Sequence, residues 1–130
     1  MGAVREAGDM IAGMDPALNE GLWRFATLDA PPADALATMR EPEGLSVILP
    51  LARAEALGLP AGPAFRWITL RVHSALDGVG LKAAVAEALA RAGIACNVVA
   101  GHRHDHLFVP ADRAEEAVAL LRARAAEARR

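Results

Sequence analysis

One stretch of the chain limits its fold more than any other, because two apolar strands flank a glycine-containing turn and an alanine-rich helix. Phe65–His73 alternates apolar side chains as a strand does, and the turn after it carries Gly78 and Gly80. Leu81–Ala92 repeats apolar residues at spacings of three and four, and Ile94–Ala100 alternates again. This order predicts an α+β domain in which helices pack on a sheet.

The chain continues with a predicted hairpin and a final helix. Residues 101–105 form a turn into His106–Pro110, a short strand that ends at a proline. Asp112, with Glu115 three residues later, is a helix-capping signature worth about 1 kcal/mol. The buried side of the last helix is predicted to carry Ala114, Val118, Leu121 and Ala125. The predicted order is therefore strand, helix, strand, strand, helix.

The first half gives weaker patterns and contains more proline. Its predicted elements are a short helix over Val4–Gly13, a strand over Leu22–Leu28, a hairpin of Thr38–Glu41 and Leu45–Pro50, and a short helix over Leu51–Leu57. Gly58–Pro63 is typical of a linker. We therefore divide the chain into halves at 1–62 and 63–130. Because the second half offers three strands, we expect Leu22–Leu28 to supply the missing partner in a shared sheet.

Composition excludes several classes of protein. The formal charge is −2, from 14 basic and 16 acidic residues, without the basic surplus typical of nucleic-acid binding. No apolar run approaches the roughly 18 residues of a membrane span, and acids interrupt the N-terminus where a signal peptide is apolar. Cys96 is the only cysteine, so no intrachain disulfide forms, and we interpret it as a core residue. We expect a cytoplasmic protein.

The turn before the helix has the chemistry of a binding loop. Gly78 and Gly80 allow backbone N–H groups at the helix start to approach a carboxylate or phosphate. Asp77 is a possible acceptor for an ammonium group. A simpler alternative is that Ser74 and Asp77 only cap the helix. Asn97 on the next strand is either a ligand contact or a polar residue satisfied within the fold.

Three segments carry a resemblance to the ACT domain, a small regulatory module of amino-acid metabolism. They are Leu76-Asp-Gly-Val-Gly-Leu81 at the first strand–helix turn, Gly93-Ile-Ala-Cys-Asn97-Val, and Leu107-Phe-Val-Pro110. The second segment has one residue more before the asparagine than the family usually has. Residues 10–125 as a whole resemble small stand-alone bacterial proteins with one clear and one degenerate ACT unit, to which no activity is assigned.

The resemblance implies a ferredoxin-like ACT fold, with an antiparallel sheet, helices on one face and two intertwined ACT-like halves. It implies a non-catalytic regulatory or sensor protein that needs no cofactor and binds a small molecule, most directly an amino acid. The family's binding loop corresponds to Ser74, Asp77, Gly78, Val79, Gly80 and Leu81, with Asn97 on the adjacent strand. Since both faces of Phe65–His73 are partly apolar, we also expect a second layer, from the first half or from a homodimer.

Other interpretations of single motifs remain open. A structural or protein-interaction module that has lost its ligand is the main alternative to a sensor. Gly78–Ala83 matches a dinucleotide fingerprint, but the acid expected about 20 residues later is absent. His102, His104 and His106 alternate and are a possible divalent-metal site. The aromatic residues near Trp23 and Trp67 favour core or dimer packing over a cation cage.

Overall fold

In a computed structural model that describes residues 2–130, the chain forms one sheet of seven strands. The strands are β1 (Pro16–Leu18), β2 (Trp23–Leu28), β3 (Ala37–Glu41), β4 (Gly44–Pro50), β5 (Phe65–Leu70), β6 (Asn97–Ala100) and β7 (Asp105–Pro110). The α-helices are α1 (Ala7–Ala12), α2 (Leu51–Ala56), α3 (Leu81–Arg91) and α4 (Ala114–Ala128). Within residues 2–130, no helix combines the length and the apolar character needed to cross a membrane.

The sheet is antiparallel and joins the two halves at β5. The strand order is β3-β4-β2-β5-β7-β6, and β1 pairs with β5 outside this path. β2 meets β5 only at Trp23 and Phe65, whereas β1 pairs along Ile68–Leu70. The predicted partner Leu22–Leu28 is therefore only a minor one, and the main partner is β1. The sequence did not predict β1 because it has three residues and begins with Pro16.

The α-helices lie on one face of the sheet, as the sequence predicted. Alternate residues of β5 and β7 point into this layer, where they pack against α1, α3 and α4. These strand residues are Ile68, Leu70, Leu107 and Val109, all fully buried. On the same face, the short helix α2 covers a smaller cluster around Val47 and Leu49. The antiparallel sheet with helices on one face is an α+β, ferredoxin-like ACT arrangement.

The other face of the sheet is aromatic. Trp67 and Phe108 stack at 6.5 Å between ring centroids, and Phe25 meets Phe108 edge-on at 5.5 Å. The sheet curls so that Leu36 and Ala37, at the start of β3, approach Val99 of β6 across a cavity of about 160 Å³. The first half therefore supplies part of the second layer that the apolar faces of β5 require.

Several predicted boundaries shift. The strand predicted over Ile94–Ala100 begins only at Asn97, and the helix predicted over Val4–Gly13 is α1. The capping prediction is wrong: a 3₁₀ turn over Ala111–Arg113 precedes α4, and no side chain caps either segment. The predicted hairpin is confirmed as β3 and β4, and the short helix after it as α2.

Candidate functional site

The turn between β5 and α3 is held in place by the N-terminal segment. The Val4 N–H donates to the His73 carbonyl at 2.7 Å, and the Ala75 N–H donates to the Val4 carbonyl at 2.8 Å. Val4 and Ser74 thus form a short parallel bridge, and Ser74 is buried beneath it. We call residues 4–10 the N-terminal strap. The second part of the strap is the start of α1, and it packs against the turn. The turn is therefore part of a packed surface.

The strap packs closely on both glycines of the turn. Gly80 has a φ of +116°, and a Cβ there would lie 2.9 Å from the Cβ of Ala7. A Cβ at Gly78 would lie 3.1 Å from the side-chain end of Met10. A side chain at Gly80 would therefore meet both backbone strain and a steric clash with the strap. This gives the glycine-rich turn a structural role beside any role in binding.

Asp77 contacts the strap and does not cap the helix. Its Oδ1 accepts hydrogen bonds from Nε and Nη2 of Arg5, at 3.1 and 2.9 Å. Both side chains are exposed, and such pairs contribute about 0–1 kcal/mol to stability. α3 begins after Gly80 without a side-chain cap, so the alternative that Ser74 and Asp77 cap this helix is wrong. Among the described residues, no side-chain acceptor caps the positive end of α3.

The remaining predicted turn residues differ in accessibility. Val79 is the most accessible, with 81% of its surface exposed. Leu81 is 2% exposed and belongs to the core with Val85 and Leu89, so its side chain is not accessible to a ligand. Of these two residues, only Val79 presents its side chain to solvent.

Asn97 does not lie beside this turn. It is the first residue of β6 and pairs with Phe108, so its exposed side chain lies on the aromatic face, opposite the helices. The turn lies near the other end of β6, about 10 Å further along the strand. The structure therefore brings Ser74 and residues 77–81 together and leaves Asn97 apart from them within the chain.

The three histidines of the 102–106 run separate in the structure. His102 is exposed in the turn between β6 and β7, and Nδ1 of His104 lies 3.0 Å from the Val72 carbonyl, to which it donates. Nδ1 of His106 accepts from the Trp67 indole N–H at 3.0 Å on the aromatic face. Among residues 2–130, no three His, Cys, Asp or Glu side chains are grouped to hold a metal ion.

His106 and Cys96 have perturbed acidities. Burial lowers the pKa of His106, as does the charge of His104, while Asp105 partly opposes this shift. Burial raises the pKa of the Cys96 thiol to about 11, so little reactive thiolate forms at neutral pH. Cys96 packs against the main core, as expected of a core residue.

Asp105 is a potential site residue that sequence reasoning did not select. It is 3% exposed, its side chain lies on the helix-covered face with Leu107 and Val109, and its Oδ2 has no hydrogen-bond partner within residues 2–130. Nζ of Lys82, in the first turn of α3, lies 3.7 Å from Oδ2. The alternation in β7 could have predicted this, because it places Asp105 on the same face of the strand as Leu107 and Val109.

Sequence and structure comparisons identify the family. ACT-domain family models match residues 64–123 and residues 3–66. A Vibrio cholerae protein of unknown function, described as a possible transport protein, shares 41% sequence identity and superposes with a TM-score of 0.79. This match covers 87% of the present chain and 91% of the other. The chain belongs to the ACT-domain family.

The ACT fold also extends to more distant solved structures. An Agrobacterium tumefaciens protein is 24% identical, with a TM-score of 0.62, over 85% of this chain and 87% of that one. Aspartokinase alpha and beta subunits are 12% identical, with a TM-score of 0.58, over 84% of this chain and 95% of that one. These two similarities concern the fold alone. No curated protein sequence matches the chain. ACT domains are generally regulatory modules that bind amino acids, and they are typically non-catalytic.

Proposed function

We propose that this ACT protein is a non-catalytic sensor that binds an amino acid, or a similar small zwitterion, at the turn formed by Ser74 and residues 77–81. The observation that carries the proposal is the N-terminus of α3, which follows Gly80 and receives no side-chain cap within residues 2–130. In this ACT fold, that N-terminus lies at the glycine-rich turn. Exposed N–H groups at a helix N-terminus favour an anionic group, so the ligand carboxylate binds near residues 79–81. The ACT domain proper is residues 63–130, and residues 1–62 form a degenerate ACT-like half.

Ligand binding at the turn would change the position of the strap. Ala7 and Met10 lie against Gly80 and Gly78, so a ligand at the turn competes with part of the strap. Displacement of residues 4–10 also breaks the Arg5–Asp77 pair and the bridge between Val4 and Ser74. Ligand binding is thereby coupled to the position of the N-terminal segment, as a regulatory module requires.

Assembly and location belong to the same proposal. ACT domains often dimerise, and on the aromatic face Phe25 and Met39 are 37% and 67% exposed. We assign the protein as a cytoplasmic homodimer whose contact includes this face. Asn97 lies on the same face and reaches a ligand only if a second subunit brings a turn to it. Sedimentation of the purified protein as a monomer at tens of micromolar would remove the dimer.

A thermal-unfolding screen against the twenty amino acids tests the binding function. A ligand at 100 times its dissociation constant adds about 2.7 kcal/mol to the free energy of unfolding. We expect one or a few chemically related amino acids to raise the unfolding temperature, and their N-acetyl derivatives and non-zwitterionic metabolites to have smaller effects. Absence of any shift would favour the alternative, a structural or protein-interaction module that binds no ligand.

A further inference from the structure

The carboxylate of Asp105 lies in an unusual environment. β7 begins at this residue, and Asp105 is in register with Leu70 at the end of β5 and with Ala100 at the end of β6. Its side chain points into the helix layer, on the same side as the buried residues of β7. Lys82 of α3 approaches it from above. Asp105 therefore lies within the reach of a lysine side chain that comes from the first turn of α3.

This carboxylate is poorly compensated. A buried charged group normally accepts several hydrogen bonds, and each unsatisfied buried atom requires an explanation. Oδ2 of Asp105 accepts none within residues 2–130, and the nearest cation, Nζ of Lys82, lies at 3.7 Å, beyond hydrogen-bond distance. The Lys82 side chain is 48% exposed, so it can turn to solvent while Asp105 cannot. The negative charge of Asp105 is therefore fixed in place, whereas another cation can replace the Lys82 ammonium group.

We propose that Asp105 receives the ammonium group of the ligand and that Lys82 occupies that position when no ligand is bound. This inference rests on the proposed function, and it names the second charged contact of the same site. The uncapped end of α3 attracts a carboxylate, and the buried Asp105, reached by Lys82 of the same helix turn, attracts a cation. A site with both charges selects a zwitterion over a simple anion.

Asp77, the acid that the sequence favoured for this role, is less suited to it. It is exposed to water and already accepts two hydrogen bonds from Arg5. An ammonium group at Asp77 would compete with a guanidinium in a screened environment, and exposed pairs contribute little. An ammonium group at Asp105 would satisfy an atom that otherwise has no donor, in surroundings where water screens the charge less.

The test uses thermal unfolding with two probe mixtures, the twenty L-amino acids and their N-acetyl derivatives. We expect the first mixture to stabilise the wild-type protein and the second to do so much less, because acetylation removes the ammonium charge. Asp105→Asn keeps the shape of the side chain but loses the charge. In this variant, affinity for the amino acid that binds best should fall about ten- to hundred-fold, the loss of one charged hydrogen bond.

Asp29→Asn is the matched control, since it makes the same change at an exposed aspartate in the first half. It should keep the wild-type shift. Without ligand, Asp105→Asn should unfold at the wild-type temperature or above it, because a poorly satisfied buried charge is removed. Lys82→Met should bind amino acids at least as tightly as the wild type, because the resting cation is gone. If Asp105→Asn fails to fold, the comparison of the two mixtures on the wild-type protein remains.

The outcomes separate the two proposals. Equal stabilisation of the wild-type protein by both mixtures, or a wild-type response in Asp105→Asn, overturns the role of Asp105 and leaves amino-acid binding intact. Loss of stability in both Asp105→Asn and Lys82→Met, with amino-acid binding unchanged, makes the pair a structural one and also overturns it. A wild-type protein that responds to neither mixture refutes amino-acid binding, and the role of Asp105 fails with it.

Discussion

The two halves of the molecule have the same strand order but very different helices. In the second half, the order across the sheet is β5-β7-β6, and in the first half it is β2-β4-β3. With β1 left aside, each half therefore places its third strand between its first and second. In the second half, the 11-residue helix α3 follows the first strand, whereas a loop over residues 29–36 follows β2. The same strand order can therefore form with or without a helix, and its N-terminus, after the first strand.

This difference extends to the cores. In the second half, α3 and α4 pack on the sheet together with α1, which comes from the first half, and bury one large apolar cluster. In the first half, the fully buried cluster contains Val47 and Leu49 of β4 and Ala54 of the six-residue helix α2. The first half thus gives α1 and β1 to the core of the second and keeps a small core of its own. We expect the halves to fold as one unit.

The largest expected effect compares two fully buried leucines, Leu89 of α3 and Leu49 of β4. Leu89→Ala should cost about 3–5 kcal/mol of unfolding free energy, and Leu49→Ala about 2–3, because a thin layer relaxes around the cavity more easily. Urea denaturation followed by circular dichroism should give one transition for both variants. Two transitions, or a greater loss for Leu49→Ala, would contradict the shared core and its unequal division.

The next effect compares two glycines with similar strain. Gly80 and Gly44 have φ values of +116° and +141°, and an added Cβ would lie 2.9 Å from a neighbouring side chain at each. Alanine at either position should cost about 1–3 kcal/mol of stability. Only Gly80→Ala should also reduce amino-acid binding in calorimetric titration. Equal binding by both variants, measured below their unfolding temperatures, would remove the turn as the binding site.

Much of this fold could be predicted from local patterns. The alternation in β5 and β7 and the apolar stripe of α3 are properties of neighbouring residues, and these elements lie where expected. Pairing of β1 with β5 could not be read in this way, because Pro16–Leu18 shows no alternation of useful length. The capping prediction at Asp112 failed because the chain first makes a 3₁₀ turn there.

The candidate site was less predictable than the fold. The turn at residues 74–81 can be identified from the sequence, because glycines just before a helix indicate a tight turn. Its cover by the strap depends on contacts between residues more than 70 positions apart, such as Arg5 and Asp77. Asp105 was overlooked because the neighbouring histidines gave the more obvious motif. Its burial follows from its pairing with Leu70, which the local pattern does not show. Tertiary pairing, which the sequence pattern does not reveal, sets the environment of each charge.

A smaller effect concerns two exposed ion pairs, one in each half. Arg5 pairs with Asp77, and Arg53 pairs with Asp34 in the loop that replaces the missing helix. Arg5→Ala and Arg53→Ala should each change stability by about 0–1 kcal/mol. Only Arg5→Ala should speed hydrogen exchange at the Val4 and Ala75 amides, because this pair helps to hold the strap. Unchanged exchange at both amides would mean that Arg5 does not restrain the strap.

The smallest effect is a pH response that belongs to the second half. Because the pKa of His106 is lowered in the folded protein, the unfolded chain takes up a proton first as the pH falls. The contribution of neutral His106 is complete above about pH 6.5 and declines as the pH drops towards its folded pKa. Unfolding temperatures between pH 7.5 and 5 should decline less for His106→Gln than for the wild type. His102→Gln, at an exposed histidine, should follow the wild type.

The pairing of β1 with β5 has a consequence for the way a newly made chain reaches its final form. Residues 16–18 leave the ribosome before their partners at 68–70, which follow some fifty residues later, and α4, which packs on α1, follows later still. The cavity between Ala37 and Val99 also joins distant parts of the sequence. Contacts this remote slow folding, because a long loop must close before the contact is made. β1 therefore has to wait for a partner strand that is made later before it finds its place.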